Sequence, residues 1–459
     1  MKKKVTAIFD IGKTNKKFFL FDKDYQAVYR EYTSFKTIAD EDGYPTDDLE
    51  ALTQWMKEVM SRILASEEFD LKAINISAYG ASFVHVNTKG EVVAPLYNYT
   101  KPFAPGFITT FYQKYGPEKA FVLCTGSDNA GMLNSGLQLF WLKYTKPEVF
   151  AKIKYSLHLP QYLSFIFTGI PLSEYTSIGC HTGLWDYFKG DYHHWVYQEQ
   201  IDKILAPIVS TGTSVKMVYN GKKIKVGVGI HDSSAALLPY IKSVDKPFVL
   251  VSTGTWSVAL NPFTTSMLTS GDMERNCINY MRTDGKAVRA SRLFLGNEYT
   301  EQLKVLSRHF QVSDNHHQSL KFDQDIFLEI ENNFSYSFRW ISITDEDMPI
   351  KTTIPYTTYE QAYHQLMIEL VLLQLKTINA AIGNDQIERL YLDGGFSDNE
   401  VYVKLISYYL KNMKLMTTNA ALGSALGAAI VISDAKLKSK FLKKNYALKK
   451  HRPFIINPK

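Results

Sequence analysis

The sequence predicts an α/β protein built as two domains on either side of a cleft. Three observations carry that expectation. The chain has 459 residues, more than a single ordinary core organises. Short apolar runs that end in Gly-bearing turns alternate with stretches of helical spacing. A strand, a turn centred on glycine and a returning strand occur twice, at Gly12 and at Gly254, 242 residues apart. That separation is about half the chain and suggests an internal duplication.

Taken in order, residues 5–10 form an apolar strand closed by Asp10, and 11–15 form a turn. Residues 17–21 and 26–32 read as the strands that follow. Thr46, Asp47 or Asp48 can cap a helix whose apolar face is Leu49, Leu52, Trp55, Met56, Val59, Met60 and Ile63, a 3.6-residue period. Residues 73–77 read as a strand leading into Tyr79-Gly80-Ala81-Ser82. Residues 84–86 and 92–97 suggest a hairpin around Lys89-Gly90. From 116 to 169 the pattern is mostly helical, with Leu137, Phe140 and Trp141 facing inward. Residues 226–230 form a strand, and a helix follows Asp232 to about Ile241. A polar break at 242–246 precedes the second strand–turn–strand unit. Residues 358–381 form a long apolar helix, 387–392 a strand, and a helix starts near Asn399. The small-residue helix at 423–432 can pack closely on a neighbour. The expected divisions are 1–244, 245–434 and a basic tail, 435–459.

Hydrophobic content of 45% and charged content of 21% are those of a globular protein. No run of 18 apolar residues exists, so no membrane span is expected. Asp10 and Lys13 interrupt the first apolar stretch too soon for a signal peptide. Cys124, Cys180 and Cys277 are far apart and odd in number, which excludes a disulfide framework and any local zinc spacing. A reducing cytoplasm fits. His193-His194 and His316-His317 have no third ligand at suitable spacing and read as surface pairs. The formal charge of +6 is concentrated: nine basic residues and no acidic ones follow Ala435, leaving 43 basic against 46 acidic before it. The tail reads as a solvated terminal helix, with no aromatic pattern for RNA beside it.

Four loops could carry chemistry. In Asp10-x-Gly12-x-Thr14, backbone N–H groups form an anion-binding concavity and the carboxylate can hold a magnesium ion. Thr253-Gly254-Thr255 offers backbone and hydroxyl donors to phosphate. Asp393-Gly394-Gly395 lets a flat group approach the backbone. Gly229-Ile230-His231-Asp232 places an imidazole and a carboxylate at a strand-to-helix junction, where Asp232 is either a helix cap or a general base. Singly, each Gly loop reads as a tight turn. Their order across a duplicated architecture makes them a set. His231 is either a ligand contact or structural, Gly80 and Ser82 line a ligand pocket or a simple strand-end turn, and Lys13, Lys16 and Lys17 reach phosphate or solvent.

With these motifs the sequence resembles the FGGY carbohydrate kinases, in the superfamily of sugar kinases, Hsp70 chaperones and actin, over residues 5–433. Asp10-Ile-Gly-Lys-Thr resembles the family's first phosphate loop and Ser252-Thr-Gly-Thr-Trp-Ser257 its second. Gly394-Gly-Phe-Ser-Asp-Asn399 resembles its adenosine loop, and Gly229-Ile-His-Asp232 its catalytic loop. Asn134 to Leu142 resembles its signature helix, with Gln138 where many members have Lys. The His231-Asp232 pair, Gln138 and Ala78-Tyr79-Gly80 look most like the rhamnulose-kinase branch, although Leu293-Phe294-Leu295 replaces a polar sugar contact before Gly296. A second family signature is not recognisable between Phe322 and Glu369.

The resemblance implies two actin-like (ribonuclease H-like) ATPase domains, with ATP and Mg²⁺ as cofactors. Asp10 would serve the metal, and Gly12, Lys13, Thr14, Asn15, Thr253, Gly254, Thr255, Gly394, Gly395 and Asn399 the nucleotide. Gly80, Ser82 and His231 would bind the sugar, and Asp232 would be the base. The expected activity is phosphorylation of a small ketose such as rhamnulose, fuculose or xylulose. A glycerol-type polyol kinase and a non-catalytic sugar or nucleotide sensor are the alternatives. Neither nucleic acid nor membrane is expected as a partner, and a homodimer is left open.

Overall fold

The computed structural model describes residues 2–340, 349–433, 437–438 and 440–456. Two seven-stranded sheets frame it. The first contains β1 (Lys3–Ile11), β2 (Lys16–Phe21), β3 (Ala27–Thr33), β4 (Phe69–Ala78), β5 (Ser214–Tyr219), β6 (Lys222–Gly227) and β7 (Ile230–His231). β1, β2 and β3 form an antiparallel meander, β4 lies parallel on the other side of β1, and β6 and β7 run parallel to β4 in succession. The second contains β8 (Val249–Thr253), β9 (Ser257–Asn261), β10 (Cys277–Met281), β11 (Ala287–Leu293), β12 (Arg389–Gly394), β13 (Lys414–Thr418) and β14 (Lys449–Lys450). There β8, β9 and β11 are antiparallel in line, β12 is parallel to β8, and β13 to β12. The path β3–β2–β1–β4–β7 therefore matches β11–β9–β8–β12–β13 in order and direction. The duplication suggested by two Gly turns extends to whole sheets.

Helices cover these sheets for the reasons the sequence supplies. In α1 (Leu49–Ala65) the Asp48 carboxylate accepts the Ala51 N–H, and Leu52, Met56, Val59, Met60 and Ile63 are buried. Burying each such side chain contributes about 1.5–3 kcal/mol. α2 (Ser135–Thr145) and α3 (Asp232–Ser243) belong to the first half, α4 (Leu295–Phe310), α5 (Tyr359–Ile382) and α6 (Glu400–Tyr409) to the second. α5 is long and apolar enough to cross a membrane by composition, yet Leu366, Ile368, Leu370 and Val371 are buried in the core of the second sheet. Inside that core Glu369 accepts N–H groups from Ser337 at 2.6 Å, Trp340 at 2.9 Å and Gln365 at 2.6 Å. Burial pushes its carboxyl up to about 7 despite these donors. Residues 341–348 of the unrecognised signature lie outside the described residues.

The small-residue helix α7 (Gly423–Val431) crosses from the second half onto the first. Asn75, on β4, donates to the Ala428 carbonyl at 2.8 Å and accepts the Gly229 N–H at 3.1 Å. One core is shared by both sheets: Ile8, Phe19, Leu237 and Tyr240 pack with Leu250, Tyr391, Met416 and Leu426.

Two expectations are corrected. The segment at 83–86 pairs with Tyr155–His158, and although the turn at Lys89-Gly90 forms, with Val86 bridging Val92 and the Val93 N–H donating to the His85 carbonyl at 3.0 Å, residues 93–97 do not continue as the expected strand. The alternation that marks a strand does not name its partner. The C-terminal segment is not a solvated tail: Phe441, Leu442 and Tyr446 are buried in the shared core, and Lys449–Lys450 pairs with β13. Its few apolar residues decide its position, while the lysines stay at the surface. Residues 434–436, 439 and 457–459 lie outside the described residues.

Candidate active site

The marked loops gather where the two sheets meet. After β1 the Gly12 N–H donates to the Asn15 carbonyl at 3.0 Å, and Thr14 and Asn15 are exposed at the tip. The Lys13 ammonium lies 2.6 Å from Asp47 and 5.2 Å from the ring centres of both Tyr79 and Tyr99. Lys16, buried, reaches the same carboxylate at 3.2 Å, and the Tyr79 hydroxyl donates to it at 2.6 Å. Against burial, bonds from Lys13 and Tyr79 hold the Asp47 carboxyl below its usual range. Asp47 thus ties the Gly12 turn to the Gly80 loop, a role the sequence does not reveal because the partners lie more than thirty positions away. Lys17 approaches Asp10 at 3.8 Å.

Asp10 is buried at the end of β1 and accepts the Ser424 hydroxyl at 2.7 Å. Burial raises its carboxyl above the usual range, opposed by Ser424 and Lys17 and reinforced by the charge of Asp232. Asp232 opens α3 as its first residue, with His231 in the cap position, and no side-chain capping bond forms. The cap reading of Asp232 is thereby removed. Its carboxylate meets the Ser233 hydroxyl at 3.2 Å and His231 Nε2 at 3.4 Å, and its side chain is 34% exposed. Asp232, Ser252, Tyr280, Asp393 and Ser424 line a cavity of 310 Å³.

A second cavity, of 620 Å³, lies behind it, lined by Thr253, Gly254, Thr255, Gly395, Asp398 and Asn399 among others. The two cavities share walls: Ser252 faces one and Thr253 the other, as do Asp393 and Gly395. The Thr253 hydroxyl donates to the Asp393 carbonyl at 2.6 Å and accepts the Phe396 N–H at 3.1 Å. Gly394 has φ +90°, and a Cβ there would meet the Thr253 carbonyl at 2.0 Å. A Cβ on Gly395 would meet nothing within 4 Å, so the larger cavity opens directly onto its backbone. Asn399 caps α6 by accepting the Tyr402 N–H at 3.0 Å and donates to Tyr363 at 2.9 Å. Gly296, Asn297, Tyr299 and His317 also line this cavity. His317 is half-buried there, which corrects its reading as a surface residue.

The Gly80 loop packs against the other half of the pair. A Cβ on Gly80 would lie 2.7 Å from the His231 ring. The His231 N–H donates to Thr176 Oγ1 at 3.1 Å. Gln138, buried in α2, donates to the carbonyls of Ala81 at 2.7 Å and Met132 at 2.6 Å. His158 accepts or donates to Ser135 at 3.1 Å, and His181 pairs with Tyr280 at 3.1 Å. Burial pushes both imidazoles down to about 3. Ser82 Oγ, Gln138 Oε1, His181 Nδ1 and His231 Nδ1 are buried without a hydrogen-bond partner among the described residues. Ser82 belongs to the Gly80 loop, Gln138 bonds to it and His231 packs against it, so a polar ligand there would meet unpartnered atoms. His158 and His181 were hidden in sequence because the side chains they meet, Ser135 and Tyr280, lie far away along the chain.

Comparison with known proteins agrees with this geometry. The model of the FGGY family of carbohydrate kinases, N-terminal domain, matches residues 5–236, just over half of the chain. A rhamnulokinase from Yersinia pestis (strain Pestoides F) is 27% identical over 247 residues, covering 51% of this chain and 48% of the relative. The chain thus spans about half the length of the curated relatives it matches. The crystal structure of a carbohydrate kinase from Novosphingobium aromaticivorans superimposes with a TM-score of 0.82 at 22% identity, over 99% of this chain and 95% of that one. That of xylulose kinase from Rhodospirillum rubrum gives 0.78 at 15% identity, over 98% and 94%. Such likeness carries the fold, two actin-like domains. The match to residues 5–236, which hold the Asp10, Gly80 and Asp232 loops, places the chain in the FGGY family of carbohydrate kinases.

Proposed function

We propose that the protein transfers the γ-phosphoryl group of ATP to a hydroxyl of a small ketose, of which rhamnulose is the first choice. The observation that carries this reading is the pair of cavities joined through Ser252–Thr253 and Asp393–Gly395, one bearing carboxylates and the other glycine backbone. The larger cavity suits adenosine, with Gly395 and Asn399 at its wall, and Thr253 to Thr255 lead toward the phosphates. Gly12, Thr14 and Asn15 approach them from the facing sheet. Ser82, Gln138, His181 and His231 offer the unpartnered donors and acceptors that sugar hydroxyls would satisfy. The 27% identity to a rhamnulokinase supports the rhamnulose class. The cytoplasm, where ATP is held, is the compartment that fits.

Asp232 accepts the proton of the attacking sugar hydroxyl as the new O–P bond forms and the bond to the ADP oxygen breaks. A sugar hydroxyl is a weak acid, so this transfer comes late in the step. Asp10 and Ser424 offer oxygen ligands, and burial beside Asp232 leaves the Asp10 carboxylate short of positive charge. That donor set fits Mg²⁺, which when bound neutralises charge on the phosphate oxygens. Closure of the two halves excludes water, the competing acceptor.

A coupled assay of ADP release over rhamnulose, fuculose, xylulose, ribulose and glycerol tests the reading. Release stimulated by one ketose supports it. Stimulation by glycerol alone moves the acceptor to a polyol, and a flat response to every compound favours a sensor. Gly395→Val tests the nucleotide half separately. Its Cβ has free space, so the melting temperature should hold while the KM for ATP rises about tenfold, or ~1.4 kcal/mol. An unchanged KM would place adenosine elsewhere.

A further inference from the structure

Cys124 is far in sequence from Asp186 and His193, which lie on one hairpin segment, yet the three converge in the first half of the fold. One ligand atom from each falls within 4.8 Å of the other two. The convergence is built by backbone. The Cys124 carbonyl, in the last turn of helix Glu118–Thr125, accepts the Tyr187 N–H at 2.8 Å. Asp186 and His193 flank the two-stranded hairpin in which Trp185 pairs with Tyr192 and Asp186 with Asp191. His193 is buried and only His194 is exposed, so the pair is not a surface pair; its partners are Asp186 on the same hairpin and Cys124 from a distant helix.

We propose that these three residues bind a divalent cation of the zinc class. A thiolate, an imidazole and a carboxylate with a fourth position open match the ligand preferences of that ion. Ligand atoms about 3.3–3.7 Å apart are needed around a tetrahedral zinc, so the group closes by small rotations rather than by backbone movement. Each side chain has capacity to spare. Asp186 Oδ1 accepts the Phe188 N–H at 2.9 Å and the Lys189 N–H at 3.2 Å, whereas Oδ2 faces only the Lys189 ammonium at 3.8 Å, on a side chain 62% exposed. An ion would replace that mobile cation. The His193 ring accepts the Trp195 N–H at a long 3.5 Å. Cys124 is partly exposed, which gives the ion a way in. On binding, the thiol releases its proton to solvent as the metal–sulfur bond forms.

None of the three residues lines either cavity of the candidate active site. The site lies instead beside the seam between the halves. Two residues beyond Cys124, the Gly126 carbonyl accepts the Asn279 N–H of β10 at 3.0 Å, and Asp128 pairs with Arg292 of β11. A bound ion would fix the end of the helix that carries both contacts.

Full-length protein stripped with a chelator and titrated with Co²⁺ tests the proposal. A near-ultraviolet thiolate-to-cobalt band should saturate at one equivalent, be displaced by Zn²⁺, and vanish in Cys124→Ser. Asp186→Asn keeps the Oδ1 acceptor of the turn and should weaken binding at least ~10-fold. Should Cys124→Ser fail to fold, the native chain still reports: Zn²⁺ should slow alkylation of Cys124 by iodoacetamide at least ~10-fold, since a metal-bound thiolate is withheld from the reagent. Absence of the thiolate band, its persistence in folded Cys124→Ser, or alkylation of Cys124 indifferent to Zn²⁺ would overturn the proposal.

Discussion

Asp232→Asn is expected to lower sugar phosphorylation by ~10²–10⁴-fold, the usual contribution of a positioned general base. The substitution keeps the shape of the side chain and the oxygen that meets Ser233 at 3.2 Å. Because Asp232 does not cap α3, the helix loses no capping bond. Nucleotide affinity should therefore stay within a factor of two or so, since the larger cavity does not include residue 232. The charge of Asp232 also helps to raise Asp10, so the variant should move Asp10 back toward its usual range. Single-turnover kinetics with saturating ketose and ATP, beside calorimetric ATP binding, make the comparison. A variant within a few-fold of wild-type turnover would show that another group takes the proton.

Gly427→Ala should destabilise the protein by about 2–3 kcal/mol, although alanine is the better helix former. A Cβ at 427 would lie 1.8 Å from the Ala235 carbonyl oxygen and 2.4 Å from its carbon. Both belong to backbone in the middle of α3, which cannot turn aside as a side chain would. The helices must separate, and α3 carries Asp232 at its start. Gly423→Ala, one turn earlier, is the control: its Cβ would meet Ala420 and Ala236 at 3.5 and 3.6 Å, ordinary contact distances. Urea unfolding of both variants checks the pair. Equal stability of the two would mean that the helix crossing tolerates a methyl group after all.

Where sequence suffices and where it fails has a physical pattern here. Asp10, Gly12, Thr253 to Thr255, Asp393 to Gly395 and Asp232 stand out because a strand that turns back or feeds a helix must end in a loop, and glycine or a carboxylate in such a loop is conspicuous. The close packing of the small-residue helix was equally legible, since only Gly and Ala let two helix backbones touch. His158, His181, Asp47 and the Cys124 group are different. Their neighbours are brought together by tertiary packing, and no spacing along the chain records it. Asp47 shows the point well. It sits beside a true cap, Asp48, and local reasoning has no means of telling that its carboxylate instead holds Lys13, Lys16 and Tyr79. The C-terminal segment misleads for the opposite reason, because its lysines dominate the composition while Phe441, Leu442 and Tyr446 determine where it lies.

The core shared by the two sheets has a thermodynamic consequence. Ile8, Phe19, Leu237 and Tyr240 from one half and Leu250, Tyr391, Met416, Leu426 and Phe441 from the other have no separate interior to return to. Cutting the chain between α3 and β8 would expose both sets to water, together with the Asn75 amide that spans Gly229 and Ala428. Each half would keep a core of its own, around Phe9 and Met56 in the first and Leu366 and Leu370 in the second, but would lose the packing of the face it presents to the other. The duplicated architecture, for all its symmetry of strands, is therefore coupled across its middle: loss of order in either sheet costs the other the apolar burial of this shared core.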